Sequence, residues 1–129
     1  MLKRTLALLA VTLLAGCASN GDDDAVLNLA KMRATAINSK APYEKIDQYQ
    51  IMKAKARENV VEITILYGGG GNTAPTIAAK NAAINYCNND ELTPIVSEGV
   101  DYNIVIIDMR GRPMVSQPVN TEVCSTLTN

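Results

Sequence analysis

The chain has 129 residues with twelve basic and thirteen acidic side chains, and it contains no His, Trp or Phe. Without histidine, acid–base or nucleophilic catalysis would depend on carboxylates or a Ser–Lys pair, and no HExxH or GxSxG motif occurs. The formal net charge of −1 also lacks the basic excess with which proteins bind nucleic acid. The composition therefore argues against enzymes, cofactors and nucleic-acid partners.

The first 17 residues have the layout of a bacterial lipoprotein signal. Lys3 and Arg4 precede an apolar run that is too short to span a bilayer, and Leu14-Ala15-Gly16-Cys17 then matches a lipobox. We predict that residues 1–16 are a signal peptide and that Cys17 becomes the acylated N-terminus. An ordinary signal peptide with a chance cysteine, or a buried N-terminal helix, are the alternatives.

The residues after the lipobox indicate where the anchored protein lies. Three acyl chains on Cys17 exceed the roughly two lipid signals that stable anchoring needs. Ala18 is not the aspartate of an inner-membrane retention signal, which favours the periplasmic face of the outer membrane. Residues 17–24 are polar and are expected to form a lipidated tether reaching at most about 25 Å. Residues 25–129 are long enough for a single domain.

The other two cysteines predict a disulfide. With Cys17 acylated, Cys87 and Cys124 form an even pair in an oxidising compartment. Two free buried thiols are the alternative, whereas a metal site is disfavoured because the chain lacks histidine and the cysteines are far apart. The bond would stabilise the fold by roughly 3–4 kcal/mol in the loop-entropy model.

The first half of the mature chain predicts a helix and a strand pair. Apolar residues at spacings of three and four follow the acidic run 22–24, which favours a helix that starts there and ends at residues 38–42. From Tyr49 the period changes to two, which predicts two antiparallel strands joined by a turn at residues 57–59. Gly68–Gly71 break regular structure. Asn72 or Thr73 is expected to cap a second helix that has Pro75 in its first turn.

The second half predicts two more strands. Residues 90–98 suit a short helix or an irregular link, with the helix favoured, and residues 100–108 give the strongest strand signal. After a turn at residues 110–112, Pro113–Gln117 is expected as an edge strand because proline cannot donate to a central ladder. The element order predicts an α+β fold: a small, mostly antiparallel sheet of four or five strands, helices packed on one face, and one disulfide.

The order of the motifs resembles that of the α/β pilotins of the type II secretion system found in vibrios and some enterobacteria. The matching features are the lipobox, the early helix, the strand pair, Cys87, Ser97-Glu98-Gly99-Val100-Asp101-Tyr102-Asn103-Ile104, Asp108, Arg110 and Cys124. The resemblance is most specific between the two cysteines, whereas Gly68–Gly71 is a local variation. The resemblance implies a non-enzymatic lipoprotein that binds the C-terminal segment of a secretin. It also implies that the lipoprotein sorting machinery carries both proteins to the outer membrane. A lipid-anchored periplasmic inhibitor or envelope assembly factor is the alternative.

Two surfaces are candidates for binding such a partner. The predicted first helix carries an apolar stripe that is wider than it needs to be to cover a thin sheet. The stripe is formed by Val26, Leu29, Met32 and Ile37. The alternative is that the whole stripe is core. The predicted edge strand Pro113–Gln117 offers strand addition instead, and the sequence does not choose between these surfaces.

Overall fold

A computed structural model of the chain describes residues 18–90, 95–96 and 98–127, with side chains from residue 24 onward. The predicted signal peptide and Cys17 lie outside these residues. None of the described helices is long and apolar enough to cross a membrane. The elements are α1 (Ala18–Lys40), β1 (Tyr49–Arg57), β2 (Val60–Tyr67), α2 (Pro75–Cys87), β3 (Asp101–Ile107), β4 (Pro113–Val119) and α3 (Thr121–Leu127).

The four strands form one sheet in the order β1-β2-β3-β4. The outer pairs, β1 with β2 and β3 with β4, are antiparallel, whereas the central strands β2 and β3 are parallel. A parallel pair needs a crossover connection, which the segment containing α2 supplies. The predicted α+β class and the mostly antiparallel sheet are confirmed.

The core lies on one face of the sheet, where alternate residues of the two central strands stand side by side. Val61, Ile63 and Ile65 of β2 pair with Tyr102, Ile104 and Ile106 of β3, and all six are buried. Both long helices pack on this face through small side chains, which bring the helix backbones close to the sheet. These are Ala30 and Ala34 of α1, and Ala79 and Ala83 of α2.

The first helix starts earlier than the sequence predicted. α1 begins at Ala18, so the acidic run at residues 22–24 lies beyond its first turn, and residues expected as an extended tether are helical. Once packing fixes the apolar part of the helix, each residue added at its end gains a backbone hydrogen bond at little cost. The helix ends at Lys40, as the pattern before Pro42 predicted.

The predicted strand pair is confirmed, with one irregularity. The pairing runs from Arg57 opposite Val60 to the far end of both strands, and its register shifts between Ile51 and Lys53. Because of this bulge, Ile51 and Ala54 both pair with core residues of β2 although they are three positions apart. Strict alternation along β1 therefore fails at Met52.

The start of the second helix corrects the predicted cap. Ala74, not Asn72 or Thr73, is the N-cap, and it makes no side-chain capping bond; Pro75 follows in the first turn as predicted. The backbone N–H groups of residues 72 and 73 are bound instead to the carboxylate of Asp47. Ile77 is 55% exposed, because the helix turns Ala79 and Ala83 to the sheet.

The C-terminal half matches the prediction closely. β3 and β4 flank a turn in which the Asp108 carboxylate accepts the backbone N–H groups of Arg110 and Arg112 and the Arg112 guanidinium. The backbone hydrogen bond from Arg112 is the main cause that lowers the pKa of Asp108. Cys87 and Cys124 form the predicted disulfide. Residues 95–96 of the expected short helix are helical, and residues 91–94 and 97 lie outside the described residues.

Candidate partner-binding groove

A groove of about 470 Å³ opens on the helix face of the sheet, between α2 and the segment that leads into β1. Its floor is formed by Ile51, Ile65 and Ile106 from three neighbouring strands. The volume lies within the range of pockets that bind ligands, and the floor is apolar. The groove can therefore bury apolar side chains of a partner.

Two tyrosines form one wall of the groove and are held by hydrogen bonds. Tyr49 donates its hydroxyl hydrogen to the carbonyl of Thr73 at 2.6 Å, and its ring stacks on Tyr67 with centroids 4.6 Å apart. The Tyr43 hydroxyl donates to the carbonyl of Ile37 at 3.2 Å. Because the rings are fixed before any partner arrives, little side-chain entropy is lost on binding.

Tyr86 of α2 lines the groove from the opposite side. Its ring meets Tyr102 edge to face at 5.2 Å, and the Arg33 Nε–H donates to the Tyr102 hydroxyl at 3.2 Å. Burial, with a smaller contribution from the nearby Tyr102, raises the pKa of Tyr86 to about 12, and burial also raises the pKa of Tyr102. Both phenols therefore stay neutral at physiological pH.

A tight turn forms the lip of the groove. Ile46 and Tyr49 exchange two backbone hydrogen bonds of 2.8 Å, which leaves Asp47 and Gln48 at the turn with φ angles of 46° and 72°. Two consecutive non-glycine residues in the left-handed region cost free energy, so the surrounding structure must hold this turn in place. The turn presents Ile46 to solvent with 74% of its surface exposed.

The Asp47 carboxylate fastens this lip to the start of α2. Its two oxygens accept the backbone N–H groups of Asn72 and Thr73 at 3.0 and 3.1 Å. A Cβ at Gly71 would lie 2.8 Å from the Asp47 carbonyl oxygen, so only glycine permits this approach. Gly68–Gly71 lie between a strand and a helix, as a phosphate-binding loop does, but the Asp47 carboxylate already occupies the N–H groups of Asn72 and Thr73 that a phosphate would need.

The α2 wall combines small and polar side chains. Ala78, Asn81, Ala82 and Asn85 share one face of the helix because their spacings are three and four. The alanines are half-buried, and the two asparagines are exposed. This wall lets a partner backbone come close while offering it amide groups.

The predicted binding stripe on α1 does not form one exposed surface. Met32 is 67% exposed, but Ile37 is only 4% exposed and belongs to the core. Val26 and Leu29 are half-buried against that core. None of the four lines the groove.

The predicted edge strand offers little room for strand addition. Pro113 and Pro118 both lie in β4 and have no N–H to donate. The Gln117 side-chain amide donates to the Pro118 carbonyl, which is therefore already occupied. The β1 edge is occupied as well, by Asn38 at Ala54.

The carboxylates of Glu98 and Asp101, which flank Gly99 and its neighbour in sequence, differ in their surroundings. Glu98 is exposed beside a turn, and Asp101 is half-buried at the start of β3, where burial raises its pKa. Among the described residues, no group of three or more His, Cys, Asp or Glu side chains could hold a metal ion.

A sequence model of the family described as "Type II secretion system (T2SS) pilotin, S protein" matches residues 22–124, which is most of the chain. The chain belongs to this pilotin family. Pilotins of this family are non-enzymatic assembly factors. No curated protein sequence matches the chain significantly.

Solved structures share the pilotin fold. The type II secretion system pilotin AspS from Vibrio cholerae is 24% identical, with a TM-score of 0.73, over 84% of this chain and 100% of AspS. The pilotin EpsS from the Vibrio vulnificus type 2 secretion system is 21% identical, also with a TM-score of 0.73, over 81% of this chain and 96% of EpsS. A putative secreted protein from Pseudomonas aeruginosa is 9% identical, with a TM-score of 0.69, over 80% of this chain and 96% of that protein.

The sequence predictions missed the groove, although one signal pointed to it. In a chain without Phe or Trp, tyrosines are the only aromatic residues, and there are five. Tyr43, Tyr49 and Tyr86 line the groove, and Tyr67 stacks on one of them. Aromatic residues used so sparingly and gathered on one surface indicate binding, because Tyr is enriched where proteins contact each other.

Proposed function

We propose that the chain is an outer-membrane lipoprotein that binds the C-terminal segment of a type II secretion secretin in the groove beside α2. The observation that carries the proposal is the groove itself. It has an apolar floor, a fixed tyrosine wall and the exposed side chain of Ile46 at its lip, in a chain that belongs to the pilotin family. Exposed apolar surface beside a concave site is typical of protein–protein contacts.

The groove is a better docking surface than the two predicted from the sequence. The α1 stripe contributes Met32 as its exposed member, since Ile37 is buried. The seven-residue strand β4 contains two prolines without N–H groups, which disfavours a partner strand that must be held by backbone hydrogen bonds. The groove has an apolar floor into which a short amphipathic helix can lay its apolar face.

Targeting follows from the lipid anchor. Acylation of Cys17 supplies the address that a secretin subunit lacks, and the lipoprotein sorting machinery delivers the pair to the outer membrane. With Ala18 rather than aspartate after the acylated cysteine, the protein is released from the inner membrane. It then stays beside the assembled channel through its acyl chains.

Titration calorimetry with a peptide from the secretin C-terminus tests the site. Ile46→Asp places a charge on the lip and should weaken binding by about tenfold or more, while a urea melt stays unchanged because the side chain is exposed. Ile77→Asp is the matched control: Ile77 is 55% exposed on α2 and does not line the groove.

Met32→Ala separates the groove from the α1 surface. If Met32→Ala weakens binding and Ile46→Asp does not, the partner binds α1 and the groove proposal is wrong. Capture of a soluble periplasmic hydrolase instead of a secretin, with the lipidated protein as bait, would favour an inhibitor.

A further inference from the structure

The two charged side chains that line the groove are both carboxylates. Glu44 and Asp47 lie on the segment before β1, and no Lys or Arg is among the described lining residues. We infer that the groove selects a cationic amphipathic helix, with a Lys or Arg that meets Glu44 at one end of its apolar stripe. The inference rests on the proposed function and adds the charge and length of the partner segment.

Glu44 is the carboxylate available to a partner. Asp47 already accepts two backbone N–H groups, from Asn72 and Thr73. Glu44 is exposed and makes no hydrogen bond or ion pair with any described residue. A cation placed beside it gains a charge-assisted hydrogen bond without breaking one that the domain already has.

The length of the partner segment follows from the α2 wall. From Ala78 to Asn85 the helix rises about 10 Å at 1.5 Å per residue, which matches about two turns of a partner helix. Ala78 and Ala82 allow the two helix axes to approach toward the lower end of the usual 8–10 Å range. Neither the Asn81 nor the Asn85 side chain makes a hydrogen bond within the described part of the chain, so both amides can pair with polar side chains of the partner.

Asp47 lies at the end of this wall where α2 begins, and Glu44 precedes it by three residues on the same segment. The turn that follows Glu44 is fastened through Asp47 to Thr73, two residues before α2 begins. Asn85 and Tyr86 mark the opposite end of the groove, near the C-terminus of α2. The basic residue of the partner therefore sits at one end of its apolar stripe, with neutral residues at the other end.

Charge variants and charge-matched peptides test this inference. The probes are the secretin C-terminal peptide and the same peptide with every Lys and Arg replaced by Gln, titrated calorimetrically at low and high salt. Glu44→Gln should weaken binding of the native peptide about threefold and Glu44→Lys about tenfold, with both effects reduced at high salt. Both variants should bind the neutral peptide as the unaltered domain does.

Glu58→Lys is the control, because Glu58 is an exposed carboxylate in the β1–β2 turn and does not line the groove. If Ile46→Asp abolishes binding but Glu44→Lys weakens it no more than Glu58→Lys, the charge selection is wrong and the groove proposal stands. If the native peptide does not bind, or Ile46→Asp leaves its affinity unchanged, the groove proposal fails and the charge selection fails with it.

Discussion

The side chain of Asn38 completes the outer edge of the sheet, and removing it should destabilise the domain measurably. Its Nδ2 donates to the Ala54 carbonyl at 2.7 Å, and its Oδ1 accepts the Ala54 backbone N–H at 2.8 Å. One carboxamide at the end of α1 therefore makes the pair of bonds that a neighbouring strand would make with β1. We choose Asn38→Ala as the perturbation.

The expected cost follows from the burial of the bonded residue. Ala54 is only 5% exposed, so water reaches its freed N–H and carbonyl poorly. Leaving one buried polar group unpaired costs about 1–3 kcal/mol, and partial hydration of the edge reduces the sum for two groups. We expect a loss of about 2 kcal/mol in the free energy of unfolding, which corresponds to a fall of roughly 8–12 °C in Tm.

Urea and thermal melts, read by circular dichroism, measure this loss. Ser39→Ala is the control, because the Ser39 hydroxyl bonds only to the Ala36 carbonyl of its own helix and is exposed. The opened edge of β1 should also promote self-association, which sedimentation velocity detects. If the free energy of unfolding of a monomeric Asn38→Ala variant changed by less than about 0.5 kcal/mol, the reasoning would be refuted. Ordinary surface substitutions change stability by that much without breaking any specific interaction.

Three further predictions concern the disulfide, alkaline pH and the anchor. Cys87→Ser or Cys124→Ser should each lower the free energy of unfolding by about 2–4 kcal/mol, and thermal melts should show that the double variant loses little more. The raised pKa of Tyr86, about 12 against the usual 10.0, means that stability is complete below pH 10 and falls toward pH 12. Urea melts across that range should show the slope, and Tyr86→Phe should flatten it. Cys17→Ser should leave a folded domain free in the periplasm by cell fractionation, and Ala18→Asp should hold the lipoprotein in inner-membrane fractions of a sucrose gradient.

Local patterns were enough to predict the elements of the fold. The alternation of Val61, Ile63 and Ile65 marks a strand with one buried face, and Pro113 marks an edge strand, because both signals depend on near neighbours in sequence. The parallel pairing of β2 with β3 joins residues about 40 positions apart and has no local signature. The cap of α2 was mispredicted because Asp47, distant in sequence, binds the N–H groups of residues 72 and 73.

The candidate site was harder to predict than the fold. Apolar periodicity along α1 shows that one face is apolar, but not whether a sheet or a partner covers it. Ile37 proved to be core and Met32 to be exposed, although both belong to one stripe. The groove depends on residues from β1, α2 and the segment between α1 and β1, so no single window of sequence contains it.

The parallel pairing of the central strands divides the molecule into two halves that meet along one seam. One half contains α1, β1 and β2, and the other contains α2, β3, β4 and α3. The disulfide joins two elements of this second half. The groove straddles this seam, with Tyr49 from one half and Tyr86 from the other. A segment bound there would act as a clasp between the halves, so that its binding free energy adds to the cohesion of the whole domain. A force applied to such a segment would then act on the backbone hydrogen bonds between β2 and β3, and not only on the half that contains the disulfide.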